Sequence, residues 1–223
     1  MRNLRAFVAI GTLLFVTATS AQQQRPARDQ NRWEANMQKF EEQEKASPSP
    51  KGAIVFWGAS SIVRWNLPEY FPGMTVINRG FGGSEMADAA RYAPRIVVPL
   101  RPRVVVLYPG ENDIARGVTA ETVGTGFDQF LKSIHDPLPQ TKIIAIGLKP
   151  TPVRWQFVEE GRKANRLIKS SCEKQIGCTY VNVEPEMLGN DGKPRPELYV
   201  SDGEHMTPEG YKIWTRLVTP LLK

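Results

Sequence analysis

Val104-Val105-Val106-Leu107-Tyr108, followed at once by Pro109-Gly110-Glu111-Asn112-Asp113, decides the fold of this chain. A short, apolar, β-branched run of this kind suits a strand buried on both faces, and such strands belong to parallel sheets covered by helices. Working outward, residues 53–57, 75–78, 143–147 and 180–183 repeat the pattern. Between these runs, residues 84–97, 120–135 and 156–174 have helical character. Upstream, residues 29–45 carry Trp33, Met37 and Phe40 at helical spacing among charges, which predicts one amphipathic helix. Ser47-Pro48-Ser49-Pro50 ends it. A last helix is expected from Thr207-Pro208-Glu209, with the Thr207 hydroxyl as cap and proline in the first turn, through Tyr211, Trp214, Leu217 and Val218. Strand alternating with helix predicts an α/β domain with crossover connections: five parallel strands and about five helices in a three-layer α/β/α sandwich.

The N-terminus reads as an export signal. Arg2 and Arg5 precede an apolar run at residues 6–18, and Thr19-Ser20-Ala21 offers small residues for cleavage. That run falls short of the roughly 20 apolar residues a membrane span needs, so no stable span is expected. The chain thus divides into a signal peptide at residues 1–21, an N-terminal helix and proline-rich link at 22–50, and one domain at 51–223. Cleavage near Ala21 would deliver the protein to the periplasm or the exterior. The net charge of +6 would then fall to +4, and the basic residues are scattered, which argues against nucleic-acid binding. Cys172 and Cys178 are the only cysteines. In an oxidising compartment they can close a small disulfide loop, and the alternative is two unpaired thiols.

Ligands of open parallel sheets bind beyond the carboxyl ends of the strands. Those ends carry Gly58-Ala59-Ser60-Ser61-Ile62, Asn78-Arg79-Gly80-Phe81-Gly82-Gly83-Ser84, Pro109-Gly110-Glu111-Asn112-Asp113 and Lys149-Pro150-Thr151-Pro152, and the fifth strand leads to Asp202-Gly203-Glu204-His205. Ser60 is the candidate nucleophile, or else a helix cap. Gly80, Gly82 and Gly83 make either a tight turn or a backbone donor to an oxyanion. Asn112 is either a turn residue or a side-chain donor. Of the two histidines, His205 has a carboxylate three residues before it. His135 ends a helix, where a cation complements the dipole. The Gly-x-Ser-x-Gly elbow of α/β-hydrolases is absent, because Ile62 fills its last position.

These blocks resemble those of the SGNH hydrolases, also called the GDSL lipase/acylhydrolase family. Gly58-Ala59-Ser60 is similar to the family's Gly-Asp-Ser, Gly83 to its glycine, Gly110-Glu111-Asn112-Asp113 to Gly-x-Asn-Asp, and Asp202-Gly203-Glu204-His205 to Asp-x-x-His. The resemblance runs from about Lys51 to Leu222. It implies a flavodoxin-like α/β/α sandwich and a serine esterase without metal or cofactor. Ser60, His205 and Asp202 would form the triad, with the Ser60 and Gly83 N–H groups and the Asn112 amide as oxyanion hole. Ala59 departs from the aspartate of the family motif, which leaves the shape of the nucleophile turn to be established.

Substrates expected on this basis are carboxylic esters carried by small molecules, glycans or lipids. Short acyl groups are favoured, since the chain has no long apolar lid segment. Two other readings compete. A non-catalytic glycan-binding module would use rim aromatics such as Phe81, Tyr108 and Trp155. A metal-dependent hydrolase would use Asp202, Glu204 and His205 as ligands.

Overall fold

All five expected strands form: Ile54–Gly58 (β1), Val76–Gly80 (β2), Val104–Tyr108 (β3), Lys142–Ile146 (β4) and Cys178–Val181 (β5). They make one parallel sheet in the order β2-β1-β3-β4-β5. This computed structural model describes Asp29 and residues 31–223, so the expected signal peptide lies outside the described residues. The helices are Glu34–Ala46 (α1), Ser60–Val63 (α2), Leu67–Tyr70 (α3), Met86–Ile96 (α4), Glu111–Ala115 (α5), Ala120–His135 (α6), Val158–Lys174 (α7), Glu184–Met187 (α8) and Pro208–Val218 (α9). No helix among the described residues is long and apolar enough to cross a membrane.

The pleat sorts side chains into two cores, because successive residues of a strand face opposite sides. Val55, Trp57, Val105, Leu107, Ile143 and Ala145 pack under α1, α4, α6 and α7. Ile54, Phe56, Val104, Val106, Tyr108, Ile144 and Ile146 pack under α2, α3, α8 and α9. Helices therefore cover both faces, which gives the three-layer sandwich.

The first helix begins at Glu34, later than its periodicity suggests, and is held by the apolar face that predicted it. Met37 is fully buried, and Trp33 and Phe40 pack against the same core. Each such side chain contributes about 1.5–3 kcal/mol when fully buried. The Arg95 pairs with Glu34 and Glu41 (2.8 and 2.7 Å) are partly exposed and add little beside that.

Three expectations need correction. Strand β5 lies two residues earlier than its apolar run, because its register is set by β4, with Ile143 opposite Cys178 and Ile146 opposite Val181. Residues 156 and 157 belong to a 3-10 segment, Pro152–Phe157, whose Arg154 leaves helical backbone angles (φ −115°, ψ 17°). Thr207 precedes α9 but makes no side-chain cap. Its hydroxyl donates instead to the Glu197 carbonyl (2.9 Å), tying the helix start to the 3-10 segment Pro196–Leu198. Cys172 in α7 and Cys178 at the start of β5 are joined by a disulfide.

Candidate active site

Strand β1 sends its crossover to β2 on one side, while β3 lies on its other side, so the order of the sheet reverses between β1 and β3. A crevice opens at such a switch point. Ser60 leaves β1 there and Asn112 leaves β3 there. The two strands approach so closely that a Cβ on Gly58 (φ 138°) would lie 2.2 Å from the Tyr108 carbonyl oxygen, so this position requires glycine.

Ser60 opens the short helix α2, and its hydroxyl meets His205 Nε2 at 2.9 Å. His205 Nδ1 lies 2.7 Å from Asp202 Oδ2. Asp202 Oδ1 accepts the backbone N–H groups of Glu204 and His205, both at 2.8 Å. The His205 N–H, joined by the imidazole and the Glu204 N–H, outweighs the opposing effect of burial and holds the Asp202 carboxyl well below the usual carboxylate range. The loop carrying both residues is a small hairpin, closed by the Tyr199–Met206 bridge and by Val200 N–H donating to the His205 carbonyl (2.8 Å). Tyr199 O–H anchors it to the Pro150 carbonyl. His135 is remote from this rim. Its Nε2 bonds the carbonyl of Thr141 just before β4, at the amino edge of the sheet.

The glycine loop flanks the serine: a Cβ on Gly82 would sit 3.8 Å from Ser60 Cβ. Gly83 adopts φ 76°, the positive-φ turn that the sequence suggested there. Asn112 is buried in α5; its Nδ2 donates to the Ser84 carbonyl (3.0 Å) and its Oδ1 accepts from Arg154 Nη2 (3.2 Å).

Ala59 leaves the Ser60 turn without a side-chain cap. Backbone and neighbours hold it instead. Ala59 N–H donates to the Tyr108 carbonyl (3.0 Å), and the N–H groups of Ile62 and Val63 donate to the Ala59 carbonyl. On the other side, Tyr211 O–H donates to the Ser61 carbonyl (2.9 Å), and Lys149 Nζ donates to Ser61 Oγ (3.3 Å).

Sequence reading missed the ionic network beside Asn112. Glu111 is buried and receives Lys149 Nζ, Tyr108 O–H and Arg154 Nη1 (3.0 Å to the last). Burial pushes its carboxyl up, but the Lys149 and Arg154 cations outweigh that and hold it below its ordinary value. Glu111 and Lys149 stand in the quoted strand-end blocks, but nothing in the sequence pairs them with each other or with Arg154.

Two competing site readings fail on geometry. Phe81 and Tyr108 are core residues rather than rim aromatics: Phe81 packs on Trp57 (4.6 Å) and Tyr108 on Trp214 (4.6 Å). Trp155 is partly buried, with Arg162 over its ring at 5.8 Å. Asp202, Glu204 and His205 do not converge on a point: Asp202 lies at Nδ1 of the imidazole (2.7 Å), while Glu204 lies 4.0 Å from Nε2 and pairs with Arg154 (2.8 Å). Among the described residues, no group of three or more His, Cys, Asp and Glu side chains is gathered as metal ligands would be.

The model of the GDSL-like Lipase/Acylhydrolase family matches residues 47–213, most of the chain. The chain belongs to that family. Its fold is shared by a GDSL-like lipase from Bacteroides thetaiotaomicron (TM-score 0.72, 22% identity, 84% of this chain and 97% of that one). An acetylxylan esterase from Geobacillus stearothermophilus also shares it (TM-score 0.63, 15% identity, 77% and 94%). Among family relatives, the chicken platelet-activating factor acetylhydrolase IB subunit alpha2 is 32% identical over 98 residues, or 42% of this chain and 40% of that protein. With the human counterpart the match covers 56% of this chain and 54% of the relative, so the chain spans about half the length of the curated relatives it matches.

Asp113, the last residue of the Gly-x-Asn-Asp block, has a structural task. Its Oδ2 accepts the Met86 N–H (3.0 Å) at the start of α4. Burial, with Glu85 adding to it, pushes its carboxyl up to about 7 from 3.8. Between these values the folded chain holds a proton that the unfolded chain releases, so stability falls as pH rises from about 4 to 7. Asp113→Asn keeps an oxygen for Met86 and removes the titration. It should melt several degrees above the parent at pH 8, at about 2–4 °C per kcal/mol, and match it near pH 4. A variant that melts below the parent at pH 8 would contradict the buried-carboxyl account.

Proposed function

We propose that this protein is a serine esterase that removes short acyl groups from carboxylic esters. The observation that carries the proposal is the unbroken path from Ser60 Oγ through the His205 imidazole to the Asp202 carboxylate, at the switch point of the sheet. Asp202 keeps a proton on His205 Nδ1, so Nε2 is free to accept one. Ser60 attacks the ester carbonyl while Nε2 takes its proton, then returns it to the leaving alcohol. The oxyanion is met by the N–H groups of Ser60 and Gly83 and by the second N–H of the Asn112 amide. Water then releases the acyl group by the same route. No step calls for a metal or cofactor.

Short acyl groups are supported by the shape of the site and by the acetylhydrolase name of the chicken relative. Asp202 is 44% exposed and His205 14%, so the base lies near the surface, unlike the deep apolar pocket that encloses a long chain. A series of nitrophenyl esters from C2 to C12 tests both parts. Rates should be highest at C2–C4 and fall at least tenfold by C8, and a fluorophosphonate probe should label Ser60. A rate that climbs with chain length overturns the short-acyl assignment. An unlabelled Ser60 overturns the esterase.

A further inference from the structure

Of the five strand ends, the one after β4 has been given no part in the chemistry, yet it carries Arg154. Its side chain is only 20% exposed and reaches three groups, two on α5 and one on the His205 hairpin. Nη1 donates to Glu111 Oε1 (3.0 Å), and Nη2 donates to Asn112 Oδ1 (3.2 Å) and to Glu204 Oε1 (2.8 Å). Glu111 is itself fixed from behind by Lys149, whose side chain is 1% exposed, and by Tyr108. The guanidinium is therefore held by a buried counter-ion and has little freedom to move.

An asparagine amide has two ends of nearly equal shape, one accepting and one donating. Only the donating end can serve an oxyanion, and a flip would present a repelling oxygen. A guanidinium has donors alone, so beside Arg154 the amide must place Oδ1 toward Nη2. The opposite end then gives one N–H to the Ser84 carbonyl and keeps the other for substrate. We infer that Arg154 is a positioning residue that sets the polarity of the Asn112 amide and, through Glu204, fastens the His205 loop to it. This rests on the esterase reading, in which Asn112 is the side-chain oxyanion donor.

If Arg154 acts through Asn112, its removal matters only while Asn112 is present. A double-mutant cycle on nitrophenyl acetate hydrolysis measures that dependence. Asn112→Ala should lower kcat by about 10²–10³. Arg154→Met should lower kcat by about 10–100-fold and change KM less than about twofold. In the Asn112→Ala background, the same Arg154→Met change should cost less than about threefold. Arg154→Lys keeps the charge opposite Glu111 but cannot span Glu111 and Asn112 together. It should restore the melting temperature without restoring kcat, and it carries the cycle if Arg154→Met does not fold. An equal loss with and without Asn112 overturns the inference, as does a loss confined to KM, which would make Arg154 a substrate contact. Failure of the esterase reading looks different: the parent would then neither hydrolyse the ester nor take the fluorophosphonate label.

Discussion

Ser60→Ala is expected to lower turnover of nitrophenyl acetate by about 10⁶, with KM nearly unchanged. The size follows from how the proposed triad would work. His205 Nε2 bonds Ser60 Oγ at 2.9 Å, and removing that oxygen leaves the imidazole with no nucleophile to activate. Deleting His205 as well should therefore cost almost nothing more, because the two act as a unit. The residue of catalysis, about 10³–10⁴ over water, would come from the oxyanion donors and from binding. The variant should keep its fold: Ser60 is only partly buried, and the turn is held by Ala59 and Ser61 rather than by the Ser60 side chain. Steady-state kinetics with a matched thermal melt decides the matter. Hydrolysis by the purified variant within tenfold of the parent would remove Ser60 from the reaction.

The fold was legible because its three inner strands are buried on both faces. Val104–Tyr108 coincides with its apolar run, and α6 coincides with its periodic stretch. Legibility failed where neighbours set the outcome. β5 is an edge strand with Thr179 exposed, so its register comes from β4 and not from its own hydrophobicity. The helices α2, α3, α5 and α8 have four or five residues, too few for a 3.6-residue period to register. Tyr108 was misplaced on the rim although the pattern could have placed it: it shares a face with Val104 and Val106, and that face is core.

Of the candidate site, the sequence blocks brought Ser60, Gly83, Asn112, Asp202 and His205 into consideration, and the fold gathers their loops along one rim. Nothing local announced the charges behind them. Glu111, Lys149 and Arg154 join across separations of 38 and 43 residues. Each alone reads as an ordinary solvated charge, and only the fold reveals that their pairing is buried. Buried charges are tolerated when every one is matched. The match here is complete enough to keep Glu111 ionised despite its burial.

Asp202→Asn should lower turnover by about 10⁴ at neutral pH while leaving the hairpin intact. The hydrogen bonds dictate how the new amide must sit. In the parent, Oδ1 accepts two backbone N–H groups, from Glu204 and His205, and Oδ2 faces His205 Nδ1. An asparagine has a single oxygen, and the two backbone donors claim it, since an NH₂ group there would set donor against donor. The NH₂ group then faces Nδ1 and donates to it. Nδ1 must become the acceptor, and the imidazole proton moves to Nε2, the nitrogen that faces Ser60. His205 would hold a proton where it has to receive one. The variant should fold normally and melt close to the parent, because Asp202 is substantially exposed and the backbone bonds persist. KM should change little, as no substrate contact is removed. Asp202→Ala should differ in kind: it frees the imidazole from a forced tautomer but also releases the two backbone N–H groups, so it should melt lower than Asp202→Asn. An Asp202→Asn enzyme that keeps more than a tenth of parent turnover would show that the carboxylate does not set the tautomer of His205.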